Sequence, residues 1–545
     1  MIKRSKFVIE LGFCAGLFAL LCVRTLAYQY THTHQIGFAD DAFYYFVVAQ
    51  HLVRDGKSTF DGFTFTNGYH PLWMALVTLQ YKLFGQSLLL TRCLEFFLGE
   101  VALVFTLLLV RLPKLSLSLF FTAGFFFVLN RVSFNGMETA LFACCFCLYT
   151  YVSIRRLGES RVAGAIEGLL AAAVIASRID SVVFVLPQMF LIARSWTRRG
   201  AALAMVLLCG IGYVSANRLY FGIGLPISGE VKSLGGLQIN RALFHFLERP
   251  YNPSVQLCYA TVVLCIVAFF LLRRPQPYVH RSVMIAFLVG YAVFALRLAF
   301  LSSWVIWNWY DYPLFIGYIA CIPSLLVMCA EYLEQRRLYA GLVPAAAVVL
   351  VAILLIGSIR TRNRPLSSMQ EDVPAANGDV SNIVSTTLAG ARVAMGDRAG
   401  SFAYHYTGSV NQLEGIMNDA RYLRALRTKT DVRQLLCERD IRYVVAYEPD
   451  LNSYKMYFVH TIRPELSQYA APEILVSRSD QVLRTPAVSP GEPLMKYLYI
   501  WRLSCGAAEG SYTELGSNYP PATPAQKRSI DQSIATAGAG DRSVR

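Results

Sequence analysis

Two adjacent carboxylates, Asp40 and Asp41, stand at the head of the stretch Ala42 to Arg54. One carboxylate suffices to cap a helix start, so the second is surplus to local structure and free for chemistry. With a helix beginning at about Ala42, Asp41 is the cap and Asp40 turns toward a cavity; moving the helix start by one residue exchanges the two. The pair could also hold a divalent cation. The chain then runs through the turn signals Asp61-Gly62 and Asn67-Gly68 to His70 and Pro71. Further polar residues interrupt apolar surroundings: Glu138 after Asn135-Gly136, Arg178 with Asp180, Glu230 with Lys232, and Arg297. Trp304, Trp307, Trp309, Tyr310 and Tyr312 follow. Each has an ordinary structural use. Arg178 can pair with Asp180, Arg297 can snorkel outward, Lys232 can be solvated, Glu138 complements a helix N-terminus, and the aromatic group suits a membrane interface. A lone His70 is more often structural than catalytic.

The elements that position these residues are membrane spans. Of 545 residues, 55% are hydrophobic and 16% charged, against roughly a quarter charged in soluble domains, which excludes a soluble globular enzyme. Apolar runs recur from Phe7 to Gly357. The net charge of +15 would suggest nucleic acid in a soluble protein. Here it sits in clusters at alternating gaps (Arg111 and Lys114; Arg155, Arg156 and Arg161; Arg194, Arg198 and Arg199; Arg273, Arg274 and Arg281; Arg336 and Arg337), which the positive-inside rule makes cytoplasmic. No nucleic-acid partner is expected. The same rule folds 115 to 153 and 162 to 193 into hairpins with Asn130 to Glu138, and Arg178 with Asp180, at their outer tips.

The result is about eleven spans: 7 to 28, 88 to 110, 115 to 130, 138 to 154, 162 to 177, 180 to 194, 200 to 221, 254 to 272, 281 to 301, 311 to 333 and 338 to 358. This membrane module, residues 1–358, contains a first outer loop, 29–87. In that loop Phe43, Phe46, Val47 and Val53 at helical spacing predict an amphipathic helix lying in the interface. Pro71 to Gly85 reads as a second interfacial or re-entrant helix, with Pro71 at its first position. Residues 359–391 form a linker. Strand-like runs at Arg392 to Met395, Arg442 to Ala446 and Tyr497 to Trp501, with a helix-like run at Thr430 to Glu438, predict an outer α/β domain over 392–505. The tail 506–545 has the composition of a disordered segment. Most cysteines lie in apolar runs, no His/Cys cluster suggests zinc, and Cys437 and Cys505 could cross-link the outer domain if the strands beside them are neighbours.

With this topology Asp40, Asp41, His70, Glu138, Arg178, Asp180, Glu230, Lys232, Trp307, Trp309 and Tyr310 all fall on the outer side, whereas the cytoplasmic loops hold little beyond Lys and Arg. Insertion accounts for basic loops but not for acids gathered at one face, so a reaction at the outer face is expected. The sequences DDAFYYFVVAQHLVRDG, FDGFTFTNGYHPLW, NGMETALF and SRID resemble the GT-C superfamily of polyprenyl-phosphate-sugar-dependent glycosyltransferases. Within it they are most similar to the bacterial branch that contains the mycobacterial terminal arabinofuranosyltransferases. VAMGDRAGSFAYHYTGSVNQLEGIMND, residues 393–419, extends the likeness into the outer region.

The resemblance implies an inverting glycosyltransferase in the bacterial cytoplasmic membrane, its C-terminal domain outside the cytoplasm among membrane lipids. It would take a sugar from a polyprenyl-phosphate donor to an envelope glycan or glycolipid. Such a donor carries its own leaving group, in keeping with the absence of a Walker or dinucleotide motif, and no cofactor is required by the sequence. The chemistry needs a base for the acceptor hydroxyl, for which Asp40 or Asp41 is suited. It also needs donors to the phosphate or sugar, for which Arg178, Lys232, Arg297, His70 and Tyr310 are candidates. Glu138, Asp180 and Glu230 are left for acceptor contact or structure. Two other readings compete. A transporter or flippase of lipid-linked sugars should show mid-membrane ionisable groups and repeats, and no repeat is visible. A noncatalytic glycan-binding scaffold should tolerate loss of the outer carboxylates.

Overall fold

The computed structural model describes residues 2–33, 37–241, 243, 263, 281–335, 372–447, 450–451, 456–487 and 497–505. Met1–Arg502 form one compact unit. Its helical part comprises α1 (Ile2–Thr33), α2 (Asp40–Asp55), α3 (Pro71–Phe84), α4 (Leu88–Val110), α5 (Leu115–Val132), α6 (Thr139–Arg155), α7 (Arg161–Ser177), α8 (Val182–Ile192), α9 (Trp196–Phe221), the short α10 (Ile227–Lys232), α11 (Arg281–Phe300) and α12 (Pro313–Gln335). The expected spans 254 to 272 and 338 to 358, and the tail 506–545, lie outside the described residues. Each remaining expected span falls on a helix. Five of them, within α1, α4, α9, α11 and α12, are long and apolar enough to cross a membrane; α5, α6 and α8 carry shorter apolar segments. The chain is thus a multi-pass membrane protein.

Small residues set the closest helix contact. Gly164 and Gly168, on one face of α7, lie so near α9 that a Cβ would stand 2.3 Å from the Arg198 carbonyl oxygen and 2.4 Å from that of Ala202. In a bilayer, where apolar surfaces gain little by meeting one another, such close backbone approach drives association. Arg198 is not a solvated loop cation: it is buried and bonded through Nε to Glu167 Oε2 (2.6 Å) and through Nη2 to the Ser153 carbonyl (2.9 Å). Gly168→Leu is expected to force α7 and α9 apart and destabilise the protein by about 1–3 kcal/mol, seen as a lower melting temperature in detergent. Gly210→Leu, whose site on α9 has no atom within 4 Å of a Cβ, should melt like the wild type.

The helix after the acidic pair is more deeply enclosed than its periodicity predicts. Sequence puts one face of α2 in the interface, but Ala42 through Ala49 are all buried. One side packs on α3, where Phe46 meets the Tyr81 ring. The other is covered by the C-terminal region, whose Tyr404 meets Phe43 and Phe46 edge-on. The interfacial reading of α2 is therefore corrected: a protein surface supplied from far along the chain takes the place of lipid headgroups. Pro71 does open α3 at its first turn.

The C-terminal region contains α13 (Asp372–Leu388), β1 (Val393–Met395), α14 (Ala399–His405), β2 (Val410–Gln412), α15 (Ala420–Thr428), α16 (Val432–Glu438), β3 (Tyr443–Tyr447), β4 (Asp450–Leu451), β5 (Met456–His460), β6 (Glu473–Ser477), β7 (Gln481–Pro486) and β8 (Tyr497–Arg502). One sheet has the order β2-β1-β3-β8-β7 and a smaller one β4-β5-β6. β1 pairs in parallel with both β2 and β3, and β3 pairs antiparallel with β8, so the strands beside the two outer cysteines are neighbours. Cys437 and Cys505 are each disulfide-bonded. The region docks on the bundle through Asp61, whose Oδ2 accepts the Asn411 amide (2.6 Å), and through the Val305 N–H, which donates to the Leu466 carbonyl (2.9 Å).

Candidate active site

The chain enters α2 through Ala39, whose N–H donates to the Asn135 carbonyl at 3.0 Å. Gly136 makes this approach possible. Its φ is +89°, and a Cβ there would lie 2.6 Å from Ala42 Cβ and 2.7 Å from the Phe38 ring. The NGMET turn is thereby wedged against the acidic pair. The helix begins at Asp40 with Ala39 as its N-cap, and no side chain caps it, so the expected capping by Asp41 is not found. Asp40 is instead spent elsewhere: its carboxylate accepts the Gly400 N–H (3.1 Å), the Ser401 N–H (2.8 Å) and the Ser401 hydroxyl. It thus satisfies free amides at the start of α14, groups that need an acceptor. Asp40 as a free base is corrected to Asp40 as the clasp between α2 and the C-terminal region.

Asp41, half-buried, makes no hydrogen bond among the described residues and faces Lys232. Burial pushes its carboxyl up to about 7; the Lys232 ammonium opposes this, and Asp40, Asp397 and Glu138 add to it.

Beside Asp41 lies a buried ionic lattice. Glu138 accepts the Tyr45 hydroxyl at Oε2 (2.9 Å) and Arg178 Nη1 at Oε1 (2.6 Å). Arg178 Nε donates to Asp180 Oδ1 (3.1 Å), and its guanidinium lies 4.0 Å from the Tyr312 ring centroid. Arg297, itself half-exposed, stands 3.8 Å from Asp180 Oδ2. His70 Nδ1 accepts the Ile179 N–H (3.2 Å), and its Nε2 lies 3.6 Å from Glu138 Oε1. Burial, against the pull of Glu138, keeps the imidazole below its ordinary value and so neutral. Arg178 is thus engaged by two carboxylates, through Nε by Asp180 and through Nη1 by Glu138.

Lys232 owes its place to Asn67. The Asn67 amide donates to Asn217 Oδ1 (2.8 Å) and the Leu225 carbonyl (3.1 Å), while its Oδ1 accepts the Ile227 N–H (3.0 Å). This pins the start of α10 to the NGYH turn. At the other end the Lys232 carbonyl accepts the Ser303 N–H (2.9 Å). The ammonium lies 5.7 Å from the Tyr310 ring centroid; burial works against the charge, but Tyr310 and Asp41 hold it. Trp307 and Trp309 stack beside it, 5.5 Å apart. Glu230 forms an ion pair with Arg427 of α15 nearer solvent.

Residues of the VAMGDRAGSF and VNQLEG stretches, given no individual role by sequence reasoning, complete the cleft. Asp397 follows β1 and pairs with Arg398 (2.9 Å); Glu414 follows β2 and is buried. A Cβ on Gly415 would lie 3.3 Å from Val231 of α10, and one on Gly68 only 1.9 Å from the Ile416 carbonyl oxygen. The turn after β2 is therefore clamped between the NGYH loop and the helix that carries Lys232. The available signal was positional: both acids sit just beyond the carboxyl ends of adjacent parallel strands, where open α/β sheets bind ligands.

No family model matches the sequence, and no curated protein matches it. Among solved structures, ArnT from Cupriavidus metallidurans bound to undecaprenyl phosphate aligns over 90% of this chain and 98% of its own, at 9% identity and a TM-score of 0.52. The fold is similar to that of this ArnT structure. ArnT in the apo state aligns over the same shares at 11% identity and a TM-score of 0.47. The Archaeoglobus fulgidus oligosaccharyltransferase aligns over 79% of this chain and 68% of its own, at 11% identity and a TM-score of 0.43. Asp40 accepts backbone donors, and among the described residues no three His, Cys, Asp or Glu side chains are grouped to hold an ion.

Proposed function

We propose that this protein is an inverting glycosyltransferase that moves a sugar from a polyprenyl-phosphate donor to an envelope glycan or glycolipid at the outer face of the bacterial cytoplasmic membrane. The observation that carries the reading is Asp41: a carboxylate without a hydrogen-bond partner among the described residues, tuned to about 7 and set opposite Lys232 in a GT-C fold. In the reaction an acceptor hydroxyl gives its proton to Asp41 as its oxygen bonds to the anomeric carbon from the face opposite the phosphate. The anomeric carbon–oxygen bond breaks, and its electron pair leaves with the polyprenyl phosphate, whose charge Lys232 and Arg297 meet. Tyr310 and the stacked Trp307 and Trp309 offer faces for a sugar ring. The likeness of the motifs to the mycobacterial terminal arabinofuranosyltransferases favours a pentofuranose as the sugar.

The transporter reading gains no support here, because the groups around Asp41 gather where α2, α10 and the turn after β2 meet, at helix ends and loops. The test is transfer by the purified full-length protein from polyprenyl-phosphate arabinofuranose to an arabinofuranose oligosaccharide, followed by mass spectrometry. A product longer by one pentose is expected. Turnover with a hexose donor only would remove the pentose assignment, and none with any lipid-linked sugar would remove the transferase.

A further inference from the structure

Two buried oxygens beside Asp41 have no hydrogen-bond partner among the described residues. Gln412 and Glu414 are 1% and 3% exposed, and the Gln412 amide donates to Glu414 Oε2 at 2.7 Å. Among the described residues Gln412 Oε1 and Glu414 Oε1 are both left without a hydrogen bond. Buried acceptors in a native structure are nearly always satisfied, so the pair is set up for a ligand that brings its own polar groups. Its location fits. Glu414 faces Asp397, Asp41, Asp40 and Lys232, and the turn that carries it is pressed against Gly68 and Val231.

We infer that Gln412 and Glu414 form a sugar-hydroxyl subsite of this cleft, binding a hydroxyl pair of the donor sugar or of the acceptor glycan. The inference rests on the transferase reading and names the part of the substrate that these residues hold. Burial, reinforced by Asp397 and Asp41 and opposed by Lys232, pushes the Glu414 carboxyl well above the usual range, which favours its protonated form. A carboxylic acid joined to an amide by one hydrogen bond leaves one donor and one acceptor free, whichever way the amide is turned. Neighbouring sugar hydroxyls offer the complementary acceptor and donor. A metal cation would not be served by the O–H, and a phosphate would meet an acceptor oxygen among carboxylates.

The test compares binding of three probes to the full-length protein in nanodiscs: a polyprenyl phosphate, the same lipid phosphate bearing arabinofuranose, and a free arabinofuranose oligosaccharide. Glu414→Leu is expected to weaken one of the two sugar-bearing probes by about tenfold, the effect of one lost hydrogen bond to a sugar hydroxyl, and to leave the polyprenyl phosphate unaffected. Which probe weakens tells donor sugar from acceptor. Glu414→Gln keeps a donor and an acceptor and should bind all three like the wild type. Gln412→Leu carries the test if Glu414→Leu fails to fold by thermal melting. Equal loss on all three probes, or no loss on either sugar-bearing one, overturns the subsite alone. A wild type that binds none of the probes overturns the transferase reading and the subsite with it.

Discussion

Asp41→Asn is expected to lower sugar transfer by about 10²- to 10⁴-fold, the usual contribution of a positioned base, with the melting temperature unchanged or raised. The amide keeps the shape of the side chain but takes no proton, and no hydrogen bond among the described residues is lost with the charge. Neutralising a half-buried carboxylate that Asp40, Asp397 and Glu138 repel offsets the loss of its attraction to Lys232. Asp40→Asn should do the reverse. One oxygen then has to serve the Gly400 and Ser401 amides, so stability falls by about 1–3 kcal/mol, while turnover per folded molecule remains. The pH profile separates the two again. A base pushed up to about 7 must be ionised to work, so wild-type kcat/KM should rise about tenfold per unit on the acid side and level off above about 7. Asp40→Asn should retain that limb, and Asp41→Asn should lose it. Near-wild-type transfer by Asp41→Asn would take the base out of the mechanism.

Gly68→Ala is expected to abolish transfer through a single methyl group. A Cβ at this position would lie 1.9 Å from the backbone oxygen of Ile416 and 2.8 Å from Met417 Sδ. No rotamer relieves a clash with a carbonyl, so the turn after β2 must move away from the NGYH loop. Overpacking of this kind costs about 1–3 kcal/mol and sometimes more. Displacement of that turn carries Glu414 away from Lys232 and loosens the closure over α2. Hydrogen exchange should therefore quicken over 393–418 while the α7–α9 pair keeps its protection. Gly229→Ala, in α10 with no atom within 4 Å of the new Cβ, should behave as the wild type. Normal exchange over 393–418 in Gly68→Ala would mean that the clamp is not what holds the turn.

The span pattern was legible because a bilayer imposes its rule one segment at a time. Leu88–Val110 is apolar over its whole length and begins and ends as a helix where the sequence places a span. Basic loops are read in the same segment-by-segment way, and that reading expects Asp41, His70, Glu138, Arg178 and Lys232 on one side. The strands at Val393, Tyr443 and Tyr497 were visible from local composition in the same way. The roles within the acidic pair were not local. Sequence assigns a cap by counting to the next helix, whereas Asp40 caps α14, 360 residues away along the chain, and no periodicity encodes that partner. The same holds for α2, whose outward face reads as interfacial until Tyr404 covers it, and for Glu414, an ordinary acid in a loop until Gly68 and Gly415 admit its turn between two other segments. Membrane insertion depends on each segment's own transfer free energy and is written in the sequence. Which carboxylate remains free to take a proton depends on which amides arrive beside it, and only the tertiary structure decides that.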